Sequence, residues 1–235
     1  MLKDVNKVLC IAHRGAFAYA PENTMKAFEL AVEMKADMIE FDIRMTKDGH
    51  IVVIHDETID RTSDGSGYVR DMALDQLKQF DFGEGEKIPT LEEVLQLAEK
   101  HKIMLNIELK EYKIAKKTVE LIDKYGMSDK VIVSSFLHPE LLDIKNYNPN
   151  IQTALLFSAR PINVVRLAKE ARAEWIHPEY HFIDEVMVKQ AHAGGIGVNA
   201  WTVDDEEDME KMIEFGVDGV ITDVPDVFIE IRDKK

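Results

Sequence analysis

Short apolar runs rich in β-branched residues recur along the chain and alternate with segments of helical periodicity. Nine of these runs are predicted to be strands: 8–12, 38–43, 51–54, 103–109, 131–135, 153–157, 175–177, 196–201 and 219–222. Residues 44–50, between the second and third runs, contain the hairpin signal Asp48-Gly49 and are too few for a crossover helix. The third run is therefore predicted to return antiparallel. The remaining eight strands, alternating with helices, indicate an α/β fold: a (β/α)8 TIM barrel with a β-hairpin after strand 2.

The segments between the strands carry helix-start signals. Thr90-Leu-Glu-Glu93 and Asp204-Asp-Glu-Glu207 have the pattern of N-terminal caps, and Asn23 is predicted to cap the first helix. Residues 57–89 fit no simple connection between a strand and a helix, so they are interpreted as a small insertion over the barrel mouth with one short helix. Because no interdomain linker is evident, residues 1–235 are predicted to form a single catalytic domain.

Composition narrows the classes of partner. The chain has 235 residues, of which 29 are Lys or Arg and 44 are Asp or Glu, and its formal charge of −15 argues against nucleic acid and anionic lipid surfaces as partners. Residues 1–7 contain no apolar leader, and the sequence has no apolar run long enough to span a bilayer, so stable membrane insertion is not expected. The only cysteine, Cys10, rules out an internal disulfide. These features predict a cytoplasmic protein.

Three carboxylates lie at the ends of two predicted strands. Glu40 and Asp42 are two residues apart, so they point to the same side of their strand, and Glu108 has the equivalent place on the next parallel strand. An oxygen-donor cluster of this kind favours a divalent cation, Mg²⁺ or Ca²⁺, over zinc or copper. The alternative is that the carboxylates form salt bridges inside the barrel with basic neighbours, namely Arg14, Arg44 and Lys110.

Further polar side chains are predicted near this cluster. His13 and His55 follow strands, and a pair of imidazoles can transfer protons near neutral pH as general acid and general base. Arg14 and Lys110 supply fixed positive charge that suits the oxygens of a phosphoryl group. Trp201, at the end of a later strand, is interpreted either as a cap of the barrel or as an apolar wall against a substrate. Together these residues predict a metal-dependent phosphodiesterase.

The motifs resemble those of the glycerophosphodiester phosphodiesterase family, and the match covers nearly the whole chain in order. They are His13-Arg14-Gly15, Pro21-Glu22-Asn23-Thr24, Glu40-Phe-Asp42, Lys47-Asp-Gly49, His55-Asp56, Ile88-Pro-Thr90, Glu108-Leu-Lys110 and Trp201-Thr202. The resemblance implies a TIM barrel that cleaves glycerophosphodiesters, such as glycerophosphocholine or glycerophosphoethanolamine, to sn-glycerol 3-phosphate and an alcohol. It also implies roles for eight residues: metal binding by Glu40, Asp42 and Glu108, acid–base catalysis by His13 and His55, and substrate binding by Arg14, Lys110 and Trp201.

Two other functions fit parts of the pattern. A related barrel enzyme that acts on intact lipids, such as a phosphatidylinositol-specific phospholipase C or a lysophospholipase D, would need an apolar rim, which the sequence does not show. A non-catalytic barrel that binds glycerophosphodiesters would be expected to lack a histidine or a carboxylate of the set. The sequence leaves open which histidine is the acid, whether water or the glycerol 2-hydroxyl attacks, and the oligomeric state.

Overall fold

The computed structural model describes residues 7–234, and eight of its nine strands form a closed barrel. The parallel strands pair in the order β1-β9-β8-β7-β6-β5-β4-β2, and β1 also pairs with β2, which closes the ring. The strands are β1 (Leu9–Ala12), β2 (Met38–Met45), β3 (Ile51–Val53), β4 (Met104–Leu109), β5 (Val131–Ser135), β6 (Gln152–Phe157), β7 (Trp175–Pro178), β8 (Gly197–Ala200) and β9 (Gly219–Thr222). The predicted TIM barrel is confirmed. The prediction that the chain has no apolar leader includes residues 1–6, which lie outside the described residues.

Helices follow the parallel strands and cover the outside of the barrel, and one further short helix lies in the insertion. They are α1 (Met25–Glu33), α2 (Leu74–Leu77), α3 (Leu91–His101), α4 (Ala115–Lys124), α5 (His138–Tyr147), α6 (Val164–Glu170), α7 (Glu185–Ala193), α8 (Glu206–Phe215) and α9 (Pro225–Asp233). Thr90 caps α3 in a capping box with Glu93, as predicted. The cap of α1 is Thr24 rather than Asn23, because the Thr24 hydroxyl accepts a hydrogen bond from the backbone N–H of Ala27. Asn23 instead directs its side chain towards the barrel.

The predicted hairpin and insertion are both present. β3 pairs antiparallel with β2, with Arg44 opposite Val52. The insertion contains two short helical turns rather than one, a 3₁₀ turn at Val69–Asp71 and α2. The insertion and the hairpin share a small apolar core of their own, formed by Val52, Ile54, Ile59, Val69, Leu77, Phe82 and Ile88. This core attaches the insertion to the barrel through β3.

The lower part of the barrel is filled by apolar side chains, which include Leu9, Ile11, Met38, Ile132, Ala154, Trp175 and Ile221. Trp175 is fully buried there and lies against Gly197, where an added Cβ would be 2.3 Å from the indole ring. Inward positions nearer the carboxyl ends of β2 and β4 are polar instead, and they include Glu40, Asp42 and Glu108. The packed apolar floor and the polar mouth place a candidate site at the carboxyl ends of the strands, where such barrels bind their ligands.

Candidate active site

The three predicted carboxylates meet at the mouth of the barrel. Asp42 is in register with Glu108 on the neighbouring strand, and one carboxylate oxygen from each of Glu40, Asp42 and Glu108 lies within 4.8 Å of the others. All three side chains are buried. Three oxygen ligands at this spacing fit a hard divalent cation such as Mg²⁺ or Ca²⁺.

The electrostatics of the cluster support that fit. Burial raises the pKa of Glu40 and of Glu108, and the negative charge of Asp42 raises both further. Burial also acts to raise the pKa of Asp42, but the positive charges of Lys110 and Arg14 outweigh it, so that pKa lies well below its usual range. The Lys110 ammonium is 3.1 Å from Asp42 Oδ1 and also donates to Glu108. Because two of the carboxylates are disfavoured as anions, the cluster has unmet capacity for positive charge.

Each of the two predicted histidines is paired with a carboxylate. His13 Nδ1 is 2.6 Å from Asp223 Oδ1, and His55 Nδ1 is 2.6 Å from Asp56 Oδ1. A carboxylate at Nδ1 fixes the orientation of an imidazole and leaves Nε2 as the atom that faces a ligand. His13 Nε2 lies 3.9 Å from Glu40 Oε2, which places this ring beside the acidic cluster.

The two histidines differ in their electrostatic surroundings. Burial lowers the pKa of His13, but the hydrogen bond to Asp223 and the charge of Glu40 outweigh burial, so its pKa lies above the ordinary value. For His55, burial lowers the pKa, and the opposing charge of Asp42 does not compensate, because Lys110 also lowers it. The surroundings therefore shift the pKa values of the two rings in opposite directions.

Arg14 is held in an unusual backbone conformation beside the cluster. Its φ is +51°, and the next residue, Gly15, has a φ of +84° and no room for a Cβ, which would lie 2.7 Å from the backbone of Ala27. This tight turn allows the Arg14 backbone N–H to donate to Glu40. The Arg14 guanidinium donates to Glu22 and lies 3.3 Å from Asp42.

A single cavity of about 120 Å³ brings most of these residues together. It is lined by His13, Arg14, Glu40, His55, Asn106, Glu108, Lys110, Phe136, Leu156, Trp201, Thr202 and Ile221. Seven of the eight predicted site residues line this cavity. The eighth, Asp42, lies behind the lining and contacts Lys110 and Arg14. Trp201 donates its indole N–H to the backbone carbonyl of His177, so its ring is fixed in place.

The sequence interpretation gave no role to Phe136 and Asp223, which contact this set directly, or to Arg61, which reaches it through Glu22 and Asp56. Phe136 packs edge-on against Trp201, with ring centroids 5.5 Å apart, and extends the apolar wall. Asp223 and Phe136 directly follow predicted strands, and the rule that barrel sites lie at strand ends could have found both. Arg61 forms ion pairs with Glu22 and Asp56. No pattern in the sequence indicated these pairs, because Arg61 belongs to the irregular insertion.

A polar pocket of this composition at the carboxyl ends of barrel strands defines an enzyme of the barrel phosphodiesterase class. The profile of the Glycerophosphoryl diester phosphodiesterase family matches residues 13–227, and the chain belongs to this family. A glycerophosphodiester phosphodiesterase of Caldanaerobacter subterraneus subsp. tengcongensis is 43% identical over 237 residues, which cover 96% of this chain and 98% of the relative. The family resemblance and the enzyme class predicted from the motifs are thereby confirmed.

Solved structures agree with this membership. A glycerophosphodiester phosphodiesterase from Thermotoga maritima has a TM-score of 0.84 and 31% identity, with 97% of this chain and 100% of that chain covered. A phosphodiesterase from Oleispira antarctica, solved in complex with the product sn-glycerol-3-phosphate, has a TM-score of 0.89 and 29% identity, with 97% of both chains covered. Within residues 7–234, every helix is too short or too polar to cross a membrane.

Proposed function

We propose that this chain hydrolyses small glycerophosphodiesters, such as glycerophosphocholine or glycerophosphoethanolamine, to sn-glycerol 3-phosphate and an alcohol. The observation that carries the proposal is the single pocket in which two carboxylate-paired histidines, an acidic cluster and two basic side chains face the same small space. Its volume of about 120 Å³ suits a glycerol or a phosphate group rather than an acyl chain. The product bound to the Oleispira antarctica relative is the one that this reaction would release.

We propose that Glu40, Asp42 and Glu108 hold a divalent cation, Mg²⁺ or Ca²⁺. Their buried oxygens, their mutual spacing and the raised pKa of two of them support this assignment. A bound cation of this kind would neutralise phosphoryl charge and lower the pKa of an attacking hydroxyl. Lys110 partly compensates the negative charge of the carboxylate cluster, and it would shift towards the substrate phosphate when a cation is bound.

The two histidines would perform the proton transfers of the reaction. One Nε2 takes the proton of the attacking hydroxyl as that oxygen forms a bond to phosphorus, and the other gives a proton to the alcohol oxygen as its bond to phosphorus breaks. The attacking oxygen belongs either to a water molecule or to the 2-hydroxyl of the glycerol. Attack by the 2-hydroxyl would give a cyclic phosphodiester, which water then opens. Asp223 and Asp56 keep both rings oriented by accepting from Nδ1.

The remaining side chains of the pocket would bind the substrate. Arg14 and Lys110 would contact the non-bridging oxygens of the phosphate, and their position in the pocket lining beside the acidic cluster supports this role. Trp201 and Phe136 would form the apolar wall against the glycerol or the alcohol. Their perpendicular packing leaves a rigid surface for carbon atoms.

We further propose that residues 1–235 act as a single catalytic domain in the cytoplasm, with 57–89 as an insertion. Pairing of the first strand with the last, at Leu9 and Gly219, supports a single domain. The small pocket supports a water-soluble substrate.

The reaction is tested by following the phosphorus of glycerophosphocholine by NMR during turnover. We expect sn-glycerol 3-phosphate and free choline, and a much slower reaction with vesicles of intact phosphatidylcholine. Release of phosphocholine would refute the proposed bond cleavage. Comparable rates on the vesicles would favour the lipid-hydrolysing alternative.

A further inference from the structure

Arg61 connects the insertion to the candidate active site. Its backbone is fixed close to the small core of the insertion, where Ile59 is fully buried and donates its N–H to the carbonyl of Gly67. From there the side chain reaches two carboxylates. Its guanidinium donates to Glu22 Oε2 and Oε1 at 2.6 and 2.8 Å, and to Asp56 Oδ2 and Oδ1 at 2.7 and 3.2 Å.

Each of these carboxylates also holds a residue of the pocket. Asp56 Oδ1 is 2.6 Å from His55 Nδ1, and Glu22 Oε1 accepts from Arg14 Nη1 at 2.8 Å. Thus one Glu22 oxygen receives hydrogen bonds from both arginines. The chain of contacts runs from Arg14 through Glu22, Arg61 and Asp56 to His55 without a gap.

The geometry depends on a guanidinium. A planar fork can bind two carboxylates in two bidentate pairs at once, whereas the single ammonium of a lysine cannot span both with the same fixed directions. The charges alternate along the network, from Arg14 (positive) to Glu22, Arg61 and Asp56. Loss of Arg61 would leave two adjacent carboxylates without their shared cation, and the Glu22 side chain is only 6% exposed.

We propose that Arg61 is a positioning residue that fixes His55 and Arg14 relative to one another, so that the insertion sets the geometry of catalysis. This role rests on the proposed function, in which His55 transfers a proton and Arg14 binds the phosphate. Arg61 does not line the pocket, and it acts through Asp56 and Glu22. The insertion therefore contributes to the active site, because the position of Arg61 within it is coupled to the orientation of His55 and Arg14.

The test compares Arg61→Ala and Arg61→Lys with a matched control, Arg70→Ala. Arg70 lies in the same insertion, and its guanidinium packs 4.6 Å from the ring centre of Tyr68. For Arg61→Ala we expect kcat on glycerophosphocholine to fall roughly 10- to 100-fold, the range for removal of a group that orients a ligand-binding side chain. The KM should change less, because Arg14 keeps its contact with Asp42. Arg61→Lys should recover part of the loss, and Arg70→Ala should match the wild type.

Two readouts separate positioning from a general loss of structure. Guanidinium ions, at concentrations far below those that unfold proteins, should restore part of the kcat of Arg61→Ala. The ¹⁵N NMR resonances of the His55 ring, assigned by their loss in His55→Ala, should shift in Arg61→Ala. They should be unchanged in Arg70→Ala.

The proposal is overturned if Arg61→Ala keeps wild-type kcat, or if its His55 resonances match those of the wild type. If the wild-type protein released no glycerol 3-phosphate, the proposed function would fail instead. The NMR comparison would then still decide whether Arg61 orients His55.

Discussion

Replacement of Asp223 by Asn is a sharp test of how the barrel orients His13, one of the two proposed acid–base residues. The Asp223 carboxylate lies 2.6 Å from His13 Nδ1, and its backbone N–H donates separately to Asp204. Asn has the same shape, so the backbone contact remains. Its amide can, however, donate to Nδ1, which favours the tautomer with the proton on Nε2. The change therefore removes a charge and weakens control of the His13 tautomer.

The expected size of the effect follows from the proposed role of Asp223, which is to orient His13. Loss of a group that only orients another side chain typically costs about 10- to 100-fold, and loss of the proton-transfer group itself costs about 10²–10⁴-fold. Asp223→Asn should fall near the overlap of these ranges, at about 100-fold in kcat, which corresponds to about 2.7 kcal/mol in the barrier. Because the hydrogen bond to Asp223 raises the pKa of His13, the pH limb due to this histidine should move to lower pH.

The assay is the pH dependence of glycerol 3-phosphate release from glycerophosphocholine by Asp223→Asn and by a control, Asp226→Asn. Asp226 is three residues further along and accepts a hydrogen bond from the Tyr19 hydroxyl at the surface. The control should keep wild-type kcat and pH profile. Wild-type kcat in Asp223→Asn, or a limb shifted to higher pH, would refute the role given to the Asp223–His13 pair.

Three further predictions concern catalysis, acid stability and packing. Replacement of His13 or His55 by Ala should lower kcat by about 10²–10⁴-fold, and a p-nitrophenyl diester, whose leaving group needs no proton, should restore only one of the two variants. Burial lowers the pKa of His177 to about 3, so the folded state takes up that proton much less readily than the unfolded chain. The neutral His177 ring therefore contributes its full share of the unfolding free energy above the ordinary pKa of 6.5. Below that pH the unfolding free energy falls by about 1.4 kcal/mol per pH unit, so that about 2 kcal/mol has been lost at pH 5. His177→Gln should lack this part of the pH dependence in urea unfolding. Gly197→Ala should lower the unfolding free energy by about 1–3 kcal/mol, because its Cβ would meet the Trp175 ring.

Each of these has a clear contrary result. Near-wild-type rates for both histidine variants on glycerophosphocholine would exclude a mechanism that uses two histidines. The exposed His101, at the end of α3, provides the control for acid stability, and equal slopes for His101→Gln and His177→Gln would contradict the argument from burial. Unchanged stability of Gly197→Ala would mean that the barrel floor can expand.

The fold followed from local signals in the sequence. Alternating strand and helix patterns predicted the parallel barrel, and the short connection around Gly49 predicted the hairpin that returns through β3. The placement of Glu40, Asp42 and Glu108 could also be predicted, because strand parity and strand ends are regular features of such barrels.

Contacts that depend on distant parts of the chain were not predictable in the same way. His13 and Asp223 are 210 positions apart, and only closure of the barrel brings β1 beside β9. Arg61 belongs to an insertion with little regular structure, so no periodic pattern indicated where its side chain would reach. The choice of Thr24 over Asn23 as the cap of α1 depends on a tertiary contact, since the Asn23 amide donates to Asp42.

Metal-dependent release of sn-glycerol 3-phosphate from glycerophosphocholine tests the central claim most directly. The wild-type protein and Glu108→Gln are dialysed against chelator, and Mg²⁺ or Ca²⁺ is then added over a range of concentrations. We predict no turnover by either protein in chelator, full recovery of the wild type, and recovery of Glu108→Gln only at higher cation concentration, because one of three oxygen ligands has lost its charge. Full wild-type activity in excess chelator would contradict the account.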